Sequence, residues 1–169
     1  PYLITNDYEL SYIGGNDNSY YKLTTDLDFT KSRSPFPIYL SGGGLDGNGH
    51  ALSNLSQTMA SVGGALFSTL LNTTVQNLTL SNAQVSELSN FEAAGLAVVA
   101  LNSTIQNCVV TGNITGTVDV GGIVAYLDTS NILDSSFNGS VKSQASNFTG
   151  ANAGGYTGGL VGDASNSTI

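Results

Sequence analysis

Apolar and polar positions alternate along this chain in short runs, and the runs recur at a long interval. Gly64-Ala-Leu-Phe-Ser-Thr-Leu-Leu-Asn-Thr-Thr-Val-Gln-Asn, Gly95-Leu-Ala-Val-Val-Ala-Leu-Asn-Ser-Thr-Ile-Gln-Asn and Gly121-Gly-Ile-Val-Ala-Tyr-Leu-Asp-Thr-Ser-Asn-Ile share one arrangement. A fourth copy is Gly159-Leu-Val-Gly-Asp-Ala-Ser-Asn-Ser-Thr-Ile. Each copy has glycine, an apolar run, an Asn/Ser/Thr turn and a β-branched residue. The apolar landmark falls at Leu66, Leu96, Ile123 and Leu160, and the β-branched one at Val75, Ile105, Ile132 and Ile169. Both series step by 30, 27 and 37 residues while keeping a spacing of nine, so the variable length lies elsewhere in each repeat. Fixed strands joined by elastic loops are how solenoids vary.

A repeat of roughly 25–30 residues carrying short strands predicts a parallel β-helix. Within a copy, side chains alternate: Leu78 and Leu80 flank Thr79, and Cys108 with Val110 then Ser135 with Phe137 take the same places. These positions are expected to stack into inward columns. A helical solenoid fails, because Asn, Ser, Thr and Gly interrupt every apolar run before three turns of a 3.6 period accumulate.

Upstream, Asn6 with Glu9 three residues on, then Leu10, Ile13 and Gly14-Gly15, spells a short helix with capping-box chemistry. It is expected to cover the N-terminal end of the coil stack, where bare strand edges would invite aggregation. Strands follow at about 20–29 and 36–40, with a tight turn at Asp46-Gly-Asn-Gly49. Residues 1–62 read as cap and first coils, and 63–169 as repeat coils of the same β-helix. The stop in mid-repeat reads as a piece of something longer. Ser32–Pro37 and Ser143–Gly158 break the rhythm; the second is expected to leave the coil stack as a loop.

Gly-Leu-Val-Gly at 159–162, echoed at 95–98 and 122–125, resembles the GLUG motif. Tyr21-Lys-Leu-Thr-Thr-Asp-Leu-Asp-Phe, followed by Leu45-Asp-Gly-Asn-Gly-His-Ala-Leu-Ser-Asn-Leu, resembles the segment that precedes such repeats in bacterial and archaeal surface proteins. The resemblance implies an all-β, right-handed parallel β-helix. It implies no activity of its own, since such repeats occur in adhesins, in surface-layer proteins and beside the catalytic parts of secreted IgA-type proteases.

Composition narrows the function further. Charged residues make up 9% of the 169, and 4 basic against 12 acidic residues give a formal charge of −8. Lys22, Lys31, Arg33 and Lys142 cannot assemble a basic patch, which argues against nucleic acid and anionic membranes as partners. No apolar run reaches membrane-spanning length, so the chain is not expected to be membrane-embedded. Cys108 is the one cysteine and aligns with Leu78, which excludes an internal disulfide and predicts a packed core thiol.

Candidate chemistry is sparse. Asp26 and Asp28 are two apart in a strand-like pattern, so both are expected on one face, with Lys22 alternating onto that side. Paired carboxylates are the donor set Ca²⁺ would take, against a plain solvated face. His50 is the single histidine and reads as a turn residue without catalytic partners. No Gly-x-Ser-x-Gly elbow occurs, and the motif glycines lack the helix a phosphate cradle needs. Asn77 and Asn107, with Asp134 next in register, read as a hydrogen-bonded ladder. Sequons at Asn54, Asn72, Asn102, Asn113, Asn138, Asn147 and Asn166 are acceptors in a cell that glycosylates. Asn147, Phe148, Asn152 and Tyr156, in the long loop, are the candidate ligand contacts.

The expectation is therefore a non-catalytic extracellular or cell-surface module, an adhesin or stalk, with no cofactor beyond a Ca²⁺ at the aspartates. Its partner would be a host or cell-surface glycan or protein. Two alternatives stand beside it: an accessory β-helix of a secreted protease or polysaccharide-degrading enzyme, and a filament or surface-layer subunit that associates end to end.

Overall fold

The chain folds as a parallel β-solenoid in a computed structural model that describes residues 1–15, 18–32, 36–59, 62–144 and 155–169. Three long sheets form its walls, and every strand pairing in them is parallel. The first sheet stacks Tyr2–Ile4, Tyr20–Leu23, Gly44–Asp46, Thr74–Gln76, Thr104–Gln106 and Asn131–Leu133. The second stacks Ile38–Ser41, Phe67–Leu71, Ala97–Leu101, Val124–Asp128 and Val161–Ser165. The third stacks Leu27–Asp28, Ala51–Ser53, Thr79–Glu87, Val109–Gly116 and Ser136–Ser143, with Ser56–Met59 also beside Thr79–Glu87. A small fourth sheet holds Ala93–Ala94, Val120–Gly121 and Thr157–Gly158.

The register is the one the repeat predicts. Val75, Ile105 and Ile132 lie side by side and buried, with Leu45 before them. Leu80 and Val110 are buried in register, with half-buried Phe137 next. Leu78 and Cys108 are buried too, and the hydroxyl of Ser135 accepts the Cys108 N–H at 3.0 Å. One apolar cluster runs from Ile4 to Ile132. Fully burying such a side chain is worth about 1.5–3 kcal/mol, so the interior column is the main source of stability.

Left-handed backbone turns each corner between the second and first sheets. Asn72, Asn102, Thr129 and Asn166 occupy that corner with φ of 51, 46, 49 and 49°. Asparagine tolerates this conformation better than other non-glycine residues. The next residue caps the coil above: the Ser103 hydroxyl accepts the Thr73 N–H at 3.2 Å, the Ser130 hydroxyl accepts the Ser103 N–H at 2.9 Å, and that of Ser167 accepts the Ser130 N–H at 3.1 Å. The recurring Asn-Ser/Thr pair is therefore turn chemistry: asparagine for φ, hydroxyl for a buried amide.

The motif glycines act through close approach, not through φ. A Cβ on Gly95 would lie 2.6 Å from the Gly122 carbonyl oxygen and 2.6 Å from a Val110 methyl. One on Gly122 would collide with the Gly159 carbonyl and the Phe137 ring.

Register also locates the variable length. Four positions separate Gly116 from Val120, but fourteen separate their partners Ser143 and Thr157. The extra residues of the third repeat all enter there. An earlier, one-residue irregularity sits between Leu80 and Ala83, opposite Val110 and Gly112.

The N-terminal helix forms as expected, over Asp7–Ser11. The Asn6 side chain accepts the Glu9 N–H at 2.8 Å, and the Glu9 carboxylate reaches back to the Thr5 N–H and hydroxyl at 2.7 and 2.9 Å. Its apolar side delivers Leu10 and Ile13 into the core.

The single strand expected over 20–29 is a correction. Strands Tyr20–Leu23 and Leu27–Asp28 belong to different sheets, and Phe29–Lys31 is a 3₁₀ turn. The chain bends a corner at 24–26, so Lys22 does not share a face with Asp26 and Asp28. The following strand is Ile38–Ser41.

Candidate functional site

The corner at 24–26 sets the surroundings of both aspartates. Asp26 precedes its strand and receives the Ala51 N–H at 2.9 Å and a His50 ring nitrogen, Nδ1, at 3.0 Å. The Ala51 N–H, then the His50 ring, hold its carboxyl below the ordinary aspartate range. Asp28 ends the strand and caps the 3₁₀ turn, accepting the Thr30 N–H at 2.9 Å and hydroxyl at 2.6 Å. The Asn54 amide donates to it at 2.8 Å. The Asn54 amide, then the Thr30 hydroxyl and N–H, lower its carboxyl to about 2. Both carboxylates thus bind neighbouring coils through separate partners. Among the described residues, no three His, Cys, Asp or Glu side chains gather as metal ligands.

From Asp28 a relay of side chains climbs the third sheet. Asn82 donates to Asn54 at 2.8 Å, Gln84 to Asn82 at 3.0 Å, Asn113 to Gln84 at 3.1 Å, and Ser140 to Asn113 at 2.7 Å. A second ladder joins Asn107 to Asn77 at 2.8 Å and Asn77 to Asp46 at 3.0 Å. These ladders engage the amides of three sequons, Asn54, Asn77 and Asn113. Asn72, Asn102, Asn138 and Asn166 are exposed, the first, second and fourth at the left-handed corner. Asn147, Phe148 and Asn152 lie outside the described residues. Tyr156 is 61% exposed, and its N–H donates to Asp119 at 2.9 Å.

Two groupings escaped the sequence reading. Glu87 is fully buried, and its carboxylate accepts the Ser89 and Phe91 N–H groups and the Thr117 hydroxyl at 2.9–3.2 Å. It pins the loop that leads to the fourth sheet. Its inward position in the alternation after Val85 was the available signal. The other is on the first sheet, where Tyr20, Lys22, Asp46, Thr74 and Gln76 line a cleft of about 450 Å³. Nothing local in the sequence joins these residues; the register does. No helix among the described residues is long and apolar enough to cross a membrane.

The chain is similar to parts of extracellular surface or secreted proteins. It is 36% identical over 121 residues to an immunoglobulin A1 protease of Streptococcus sanguinis, covering 71% of this chain and 6% of the relative. A Streptococcus pneumoniae immunoglobulin A1 protease is 33% identical over 122 residues, again 6% of that protein. Halomucin of Haloquadratum walsbyi is 33% identical over 99 residues, covering 57% of this chain and 1% of halomucin. The chain thus spans only a few per cent of the relatives it matches. No family model matches the chain, and no solved structure matches it significantly.

Proposed function

We propose that this chain is a non-catalytic, GLUG-like coil module of an extracellular or cell-surface protein, which spaces or presents other parts of that protein. One observation carries the reading: overlapping parts of this chain match a mucin-named protein and proteases, as a small fraction of each. A segment common to proteins named so differently is better explained as a building block than as the source of one chemistry. The geometry agrees. Asp26 and Asp28, the candidate metal ligands, are tied to backbone and amide donors that hold coils together. In this reading the module needs no cofactor, and it serves equally as an adhesin stalk or as the β-helix beside a secreted enzyme's catalytic part. The purified protein is expected to release no new ends from polysaccharides or peptides. Turnover abolished by Asp26→Asn, Asp28→Asn or His50→Ala would overturn the reading.

A further inference from the structure

The outer face of the first sheet has two columns of side chains. One runs Tyr20, Gly44, Thr74, Thr104, and the other Lys22, Asp46, Gln76, Gln106. Gly44 lies between Tyr20 and Thr74 in register, and these residues line the cleft of about 450 Å³. That lies within the roughly 300–1,000 Å³ of small-molecule sites. Tyr20 is 64% exposed and also lines a second hollow of about 280 Å³ with Pro1 and Tyr2. An aromatic ring therefore stands free between two hollows, with a polar row along one side.

Asp46 in that row is held in place. The Asp46 Oδ1 accepts the Asn48 N–H at 2.8 Å and the Asn77 amide at 3.0 Å. Burial works against its charge, but the Asn77 amide, the Asn48 N–H and nearby Lys22 outweigh it, and the carboxyl stays below its ordinary range. Lys22 and Asp46 are neighbours in register, so the cleft pairs one cation with one anion. An amide at Gln76 and a hydroxyl at Thr74 complete a set that both donates and accepts.

We infer that this cleft binds a neutral pyranose ring of a glycan, stacked on Tyr20 and hydrogen-bonded by Lys22, Asp46 and Gln76. A sugar ring has one apolar face for an aromatic side chain and a rim of hydroxyls that need mixed donors and acceptors. Among the side chains that line the cleft, one cation, Lys22, stands against one anion, Asp46, and the formal charge of −8 disfavours acidic glycans. The site lies far in sequence from residues 143–158 and does not depend on whether the module is a stalk or an enzyme accessory.

The test is nuclear magnetic resonance titration of the isotope-labelled chain with methyl glycosides of glucose, galactose, mannose and N-acetylglucosamine at millimolar concentration. At least one is expected to shift the amides of Tyr20, Lys22, Gly44, Asp46 and Gln76 together. Tyr20→Ala, at an exposed site, is expected to weaken that response about tenfold or more, and Tyr20→Phe to preserve it. Unchanged melting of both variants separates lost binding from lost folding. No shift with any glycoside overturns the inference, as do shifts that survive Tyr20→Ala. So does a response of these amides to oligolysine alone, which would assign the cleft to a basic protein partner.

Discussion

Asn107 donates its side-chain amide to the side-chain oxygen of Asn77 at 2.8 Å, across thirty residues of chain. Both residues hold left-handed backbone, with φ of 51 and 54°. One residue type thus meets two demands at once, a turn that most side chains resist and a bond that locks successive coils. Asn107→Ala is expected to cost about 2–3 kcal/mol, from left-handed strain plus a lost hydrogen bond. Asn107→Gly should cost only about 1 kcal/mol, because glycine accepts the φ and loses just the bond. Urea unfolding of the two variants measures the difference; equal losses would refute the division.

Gly122 and Gly159 occupy one motif position in successive coils, yet only Gly122 is hemmed in by a following coil. Gly122→Ala is expected to destabilise the chain by about 1–3 kcal/mol through overpacking. Gly159→Ala should change it by less than about 0.5 kcal/mol in the monomer. Thermal melts at low concentration distinguish them.

Asp28 links stability to acid pH. Its folded pKa, about 2, lies below the unfolded value near 3.9, so the ionised form favours the folded state. The contribution is fully present above about pH 4 and is lost as pH falls through about 2. The melting temperature of Asp28→Asn should therefore lie below that of the parent chain at pH 6, with the gap closing towards pH 2. A gap that widens on acidification would contradict the geometry.

Cys108 is fully buried, and desolvation pushes its thiol up to about 11. The thiolate is the reactive form, so a disulfide-exchange reagent at pH 8 should label it only in denaturant. Rapid labelling of the folded chain would place the inward column elsewhere.

The sequence by itself determined the solenoid, its register and its inward columns. In a parallel stack each residue sits beside its counterpart one coil away, so a one-dimensional period maps directly onto three-dimensional neighbours. For this reason Val75, Ile105 and Ile132, or Asn77 and Asn107, could be placed without coordinates. The capping of the first helix was equally legible, because Asn6 and Glu9 act within one turn. The tertiary structure decided what the period does not encode. The first coils have no regular repeat, so the corner at 24–26, the Asp26–His50 contact and the separation of Lys22 from the aspartates depend on where the chain bends. The buried Glu87 follows from loop donors at Ser89, Phe91 and Thr117 that converge only in the folded coil. The Tyr20 cleft likewise draws its lining from three strands that stand side by side only in the folded stack.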